Sequence, residues 1–149
     1  MLSLIVTCWL GLYTLTPCDA AEADIARDYS DYALSIPVNH LATVRCLYRT
    51  AFRGEANLST GCIGLPMRAS LYMLAHEVGH EVSAHNGLLA RFTARFWPGG
   101  VQVDGVPDDY ARTNPAEDWA EAYSHVIMGD THAMKVRRDW LLREFPELH

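Results

Sequence analysis

The stretch LAHEVGHEV at residues 74–82 constrains the fold and chemistry of this chain more than any other. Apolar residues in and just before it recur every three or four positions, the spacing of one buried helix face, and they are Leu71, Leu74, Val78 and Val82. We therefore predict a helix over residues 69–86, which Gly87 ends. A glycine in mid-helix, at Gly79, costs about 1 kcal/mol relative to alanine, which indicates that another element packs closely there.

The two histidines of this stretch have the spacing of metal ligands. His76 and His80 lie one turn apart, about 40° from each other around the helix axis, so both imidazoles can reach one ion. A catalytic zinc site takes three protein ligands and keeps its fourth position for water. Glu77 is offset by one residue and could act on that water as the general base. The alternative is a polar helix strip that faces solvent.

A site built on two histidines needs a third ligand, and we expect a carboxylate from the helix predicted over residues 116–128. Glu117 and Glu121 lie one turn apart there and face the same way. Glu117 could instead cap the helix. Asn114 is a good N-cap, and Pro115 suits the first helical position. A glutamate three residues after the N-cap can fold back onto the backbone of the cap. The pattern alone does not decide whether Glu117 caps the helix or binds the metal.

The motif HEVGH, followed by YARTNPAEDWAEAY at residues 110–123, resembles the catalytic domain of anthrax lethal factor and the related small secreted zinc metallopeptidases. That family includes the Pro-Pro endopeptidases. The similarity runs from about residue 71 to 135 and is dense only at the two motifs. It implies an α+β fold of the zincin type, and an enzyme that hydrolyses peptide bonds with a zinc-bound water.

The resemblance also implies a role for each matching residue. It implies that three residues bind Zn²⁺, which are His76, His80 and Glu117. Glu77 would be the general base, and Tyr110 would direct its hydroxyl at the oxyanion of the tetrahedral intermediate. Glu121 would accept a hydrogen bond from a ligand histidine and fix its tautomer.

This chain departs from the family at three points. Pro115 and Asp118 stand where more ordinary and more apolar residues are expected. Little of the chain precedes the motif helix to build a substrate subsite.

Strand patterns precede the motif helix, and further helical patterns surround it. We predict strands over 43–52 and 61–65 that pair as a hairpin in a small antiparallel sheet, with a turn over 53–61. The segment at 59–65 would be the edge along which an extended peptide lies. The other predicted helices cover residues 21–35, 88–96 and 132–144.

The first 17 residues are apolar and uncharged, but they fall short of the roughly 20 residues of a membrane span. They are typical of a secretory signal, and AEA at residues 21–23 offers a cleavage site. No basic residue precedes Arg27, so the alternative is an N-terminal helix of a truncated chain. We predict a signal peptide over 1–23, one metallopeptidase domain over 24–149, and a secreted or extracytoplasmic location.

Cys46 and Cys62 are the two cysteines of the predicted domain. An even pair in an exported chain indicates a disulfide, and the predicted hairpin would bring the two close. Closing a loop of this length would stabilise the domain by about 3 kcal/mol. The alternative is a pair of buried thiols.

The composition limits the partners. Half of the 149 residues are hydrophobic, which suffices for one core. The formal net charge is −6 and no basic stripe is present, which argues against nucleic acid. We expect a monomer that acts on a protein or peptide and has no stable membrane insertion. Two other functions stay open: a non-catalytic secreted zinc-binding module that docks a partner protein, and a metal-free helical domain.

Overall fold

The computed structural model describes residues 20–68, 70–85, 87–105, 109–130 and 134–148. Within these ranges the N-terminal half contains short helices and strands, which are α1 (Ala20–Asp28), α2 (Ser30–Ala33), α3 (Val38–Leu41), β1 (Cys46–Arg49), β2 (Glu55–Asn57) and β3 (Cys62–Leu65). The C-terminal half is helical and contains α4 (Leu71–Ser83), α5 (Leu88–Phe96), α6 (Pro115–Ile127) and α7 (Lys135–Glu144). The predicted α+β class is therefore confirmed.

The predicted signal segment is described only at its end. Residues 1–19 lie outside the described ranges, and residues 20–23 belong to α1. Among the described helices, none combines the length and the apolar character that crossing a membrane requires.

The sheet is mixed, with the strand order β1-β3-β2. β1 runs parallel to β3, and β2 runs antiparallel to β3. The predicted hairpin of residues 43–52 and 61–65 is wrong, because the strands in these segments pair in parallel. Residues 55–57, which we predicted as part of a turn, form a third strand. The tight turn joins β2 to β3 and closes at Gly61, whose φ of 74° is a left-handed conformation that glycine adopts readily. β3 is thus the central strand, and β2 is an edge.

A disulfide joins Cys46 to Cys62, which confirms the predicted bond. The two residues are direct partners across the parallel pair, with their Cα atoms 4.5 Å apart. Next to them, the Arg45 N–H donates to the Gly61 carbonyl, so backbone and side chains both fasten this end of the sheet. Parallel pairing, rather than a hairpin, brings the two sulfurs together.

The motif helix is shorter than the predicted 69–86. It begins at Leu71 because the Ser70 hydroxyl caps it, accepting a hydrogen bond of 3.2 Å from the Met73 N–H. It ends at Ser83, and Gly87 is not its last turn but the residue before α5, where its φ is 66°. The predicted helix over residues 21–35 likewise divides into α1 and α2.

Helices α4 and α6 pack side by side at the glycine of the motif. The Trp119 indole N–H donates to the Gly79 carbonyl at 2.8 Å in this buried contact. A Cβ at position 79 would lie 3.1 Å from Cδ1 of Tyr123. The close neighbour that the mid-helix glycine predicted is therefore α6. Of the predicted apolar face, Leu74, Val78 and Val82 are buried, and Leu71 is partly buried.

We expect Gly79→Ala to lower the free energy of unfolding by about 1–3 kcal/mol, the usual cost of overpacking a core. The new methyl would meet the ring of Tyr123, which is fully buried and shares a hydrogen bond of 2.8 Å with His40, so it has no room to move aside. Urea unfolding followed by circular dichroism measures the change. An unhindered helix would instead gain about 1 kcal/mol from alanine, so a rise in stability would contradict this packing.

Candidate metal centre

Three polar atoms from α4 and α6 converge on one point. His76 Nε2 lies 3.2 Å from His80 Nε2. Glu117 Oε2 lies 3.1 Å from the first of these nitrogens and 3.3 Å from the second. The histidines are 7% and 9% exposed, and the glutamate side chain is 19% exposed. The fold therefore brings together the three residues predicted as ligands, in a group that could hold a metal ion.

The spacing and chemistry of this group fit zinc. In a tetrahedron with metal–ligand bonds of about 2.0–2.1 Å, neighbouring ligand atoms lie roughly 3.3–3.4 Å apart. The triangle formed by His76, His80 and Glu117 has edges of 3.1, 3.2 and 3.3 Å, close to those values. Two imidazoles and one carboxylate are also a donor set that catalytic zinc sites use.

The start of α6 explains how Glu117 becomes available to the histidines. Asn114 is the N-cap, and its Oδ1 accepts hydrogen bonds from the N–H groups of Ala116 at 2.9 Å and Glu117 at 3.0 Å. Pro115 occupies the first helical position. Asn114 thus caps the helix with its own side chain, while the Glu117 carboxylate contacts the two histidines instead of folding back onto the helix end.

Glu121 lies against the other nitrogen of His76. Its Oε1 is 3.0 Å from His76 Nδ1, a close but bent contact at ion-pair distance, and the carboxylate is 3% exposed. A carboxylate in this place orients the ring and favours the tautomer whose Nε2 is open to a metal. The Tyr72 hydroxyl donates a hydrogen bond to Glu121 Oε2. Tyr72 was not predicted, although its place one turn before His76 was a usable signal.

The carboxylates on either side of His76 change its proton affinity. Burial alone lowers the pKa of His76, but the contacts with Glu117 and Glu121 outweigh burial and raise that pKa to about 9. Hydrogen bonds with His76 and His80 hold the pKa of Glu117 far below its usual range. A metal binds only the unprotonated nitrogen, so metal binding here must displace a proton.

Glu77, the predicted base, is 5% exposed next to these residues. Burial raises the pKa of Glu77 to about 7; the positive charge of His76 opposes that rise, and the carboxylates of Glu117 and Glu55 add to it. A carboxyl group with a pKa near neutrality can both accept and donate a proton at neutral pH. Gly54 faces it so closely that a Cβ there would overlap the Glu77 carboxylate. Sequence reasoning missed Gly54, because no local pattern relates it to the helix.

Tyr110, predicted to contact the oxyanion, lies over His76 with their ring centroids 5.7 Å apart. It is 55% exposed, so its ring borders solvent as well as the ligand group. Partial burial and the nearby Glu117 carboxylate raise the pKa of the phenol. The hydroxyl therefore keeps its proton at neutral pH, and in this structure it interacts with the Glu117 carboxylate.

Two cavities meet at this group and form a cleft. One has a volume of about 390 Å³, and Tyr72 and Met73 line it. The other has a volume of about 370 Å³, and Glu55 and Ala56 of β2 line it. Their walls share Arg53, Gly54, His76, Glu77 and Tyr110. The strand that borders the cleft is the edge strand β2, which corrects the prediction that the segment at 59–65 is the edge.

Comparisons of this chain with protein-family models, with curated proteins and with solved structures find no match. The resemblance to the lethal factor metallopeptidases rests on the two motifs alone and stays a prediction.

We expect the protein to bind one Zn²⁺ per chain and Glu121→Gln to weaken that binding by about 10- to 100-fold, the usual effect of losing the partner of a ligand histidine. The amide carries no charge to attract the Nδ1–H of His76. Competition with a chromophoric chelator measures the affinity. Glu144→Gln is the matched control, because Glu144 pairs with Arg91 at the surface. Equal affinities for the two variants would contradict the role of Glu121.

Proposed function

We propose that this protein is a zinc-dependent endopeptidase of the zincin type, which hydrolyses peptide bonds of a protein or peptide substrate. The observation that carries the proposal is the triangle of His76, His80 and Glu117, with Glu77 buried beside it and a cleft open to it. A structural metal site has no need of a further buried carboxyl group that lies outside the ligand group and lines the cleft.

The residues of the centre have distinct tasks in this reaction. His76, His80 and Glu117 would hold Zn²⁺, which when bound supplies Lewis acidity toward the scissile carbonyl and the attacking water. The Glu77 carboxylate takes a proton from that water and returns it to the leaving amine. The Tyr110 hydroxyl donates a hydrogen bond to the developing oxyanion.

The cleft supports an extended peptide as the substrate. β2 is an edge strand whose outer side borders the 370 Å³ cavity, so a peptide can pair with it through backbone hydrogen bonds. The 390 Å³ cavity has the aromatic ring of Tyr72 and the thioether of Met73 in its walls. We therefore expect an apolar side chain on one side of the scissile bond.

The disulfide supports an extracytoplasmic location. A disulfide such as Cys46–Cys62 persists in oxidising compartments, whereas a reducing cytosol keeps cysteines as free thiols. A secreted peptidase agrees with this bond.

Cleavage of a diverse peptide library by the purified protein, with bound zinc quantified in the same sample, tests the proposal. We expect the wild type to cut and Glu77→Gln to cut about 10²- to 10⁴-fold more slowly while it retains zinc, because the amide cannot accept the proton. Glu144→Gln should cut as the wild type does. Zinc binding without cleavage by any variant would favour the non-catalytic module, and absence of zinc would favour a coincidental motif.

We expect Gly54→Ala to slow cleavage by about 10- to 100-fold with zinc affinity unchanged, because a displaced general base loses its alignment. The methyl would push the Glu77 carboxylate aside, and its three nearest atoms all belong to Glu77, which is not one of the proposed zinc ligands. Steady-state kinetics and zinc titration measure both effects. Ala51→Ser, a substitution at an exposed position in the same loop, is the control. Full activity of Gly54→Ala would show that the position of Glu77 does not limit the reaction.

A further inference from the structure

Asp118 and Arg137 form a fully buried ion pair directly after the ligand Glu117. Arg137 donates from Nε to one carboxylate oxygen and from Nη2 to the other, the latter at 2.8 Å. The same Oδ2 accepts hydrogen bonds from the Trp97 indole at 2.8 Å and the Gln102 amide at 3.0 Å. A position where the family resemblance led us to expect an apolar residue is thus the centre of a buried polar network.

Arg137 also holds the loop that follows α5. Its guanidinium donates to the backbone carbonyls of Val103 at 3.0 Å, Asp104 at 3.3 Å and Gly105 at 3.1 Å. Asp104 has a φ of 63°, a left-handed conformation that is unfavourable for most side chains. Three hydrogen bonds to one buried side chain keep this strained turn in place.

Gln102 connects the network to the segment that carries Tyr110. Its Nε2 donates to Asp118 Oδ2 and to the backbone carbonyl of Ala111, both at 3.0 Å. Ala111 is fully buried and directly follows Tyr110. One amide group therefore joins the residue after the ligand Glu117 to the residue after Tyr110.

We propose that Gln102, held by Asp118 and Arg137, is a positioning residue that sets Tyr110 over His76. The inference rests on the proposed function, since it gives Gln102 a part in the task of Tyr110. Tyr110 is more than half exposed, so its place beside His76 depends on its backbone and on its interaction with the Glu117 carboxylate more than on packing of the ring. A donor misplaced by about 1 Å can cost up to about 10²-fold in rate.

The test uses Gln102→Met, which keeps the length of the side chain and removes both hydrogen bonds. We expect amide hydrogen exchange in residues 109–113 to become about 10-fold faster, because the segment loses an anchor, with α4 and α6 unchanged. On a cleaved peptide, kcat should fall about 10-fold, with KM and zinc affinity within about twofold of the wild type. Val101→Ala, in the same loop at an exposed position, should change neither.

A double-mutant comparison separates positioning from general destabilisation. In the Tyr110→Phe background, Gln102→Met should lower kcat no further, because the hydroxyl it positions is already absent. An equal loss of kcat in both backgrounds would overturn the proposal.

The exchange measurement keeps this inference separate from the proposed function. Unchanged exchange at residues 109–113 in Gln102→Met overturns the inference whether or not the protein cleaves peptides. If the wild type cleaves nothing, the endopeptidase proposal fails, while faster exchange confined to that segment would still support Gln102 as the residue that holds it.

Discussion

The close approach of α4 and α6 at Gly79 is the constraint on which the candidate metal centre depends. The two histidines belong to one helix and Glu117 to the other, so their spacing of 3.1–3.3 Å exists only at this separation. Gly79 has no side chain to hold the helices apart. The Trp119 indole N–H of α6 donates a hydrogen bond to the Gly79 carbonyl of α4. The ligand geometry is thus encoded partly by a residue that contacts no ligand. The helix propensity that the glycine gives up is offset by the buried contact it allows.

Features that depend on local spacing could be predicted from the sequence, and features that depend on distant pairing could not. The helical period places His76 above His80, and cap chemistry starts α6 at Asn114, because both need only a few consecutive residues. The strand β2 has only three residues next to a turn, too few for their alternation to indicate a strand. The parallel pairing of β1 with β3 depends on contacts between distant parts of the chain. Gly54 escaped notice for the same reason, since only the fold relates it to the centre.

The buried pair of Asp118 and Arg137 shows what a charged residue contributes where an apolar one would pack. The cost of desolvating two charges offsets much of their attraction, so such a pair adds little net stability. It supplies directed hydrogen bonds instead: Arg137 donates to the loop carbonyls, and Asp118 accepts from Gln102 and Trp97. An apolar core at this place could fill the volume, but it would leave the strained turn at Asp104 without donors.

The charge balance of the centre links metal binding to the state of its base. Glu77, Glu117 and Glu121 bring three carboxyl groups into a largely buried space, which is unfavourable without a cation. In the protein alone, a proton on His76 supplies the positive charge, and burial raises the pKa of Glu77 to about 7. A divalent ion in the same place would pair with Glu117 directly and with Glu121 through His76. Its field would also lower the pKa of Glu77. In the proposed reaction the same ion would thus favour the ionised form of Glu77, the form that accepts a proton.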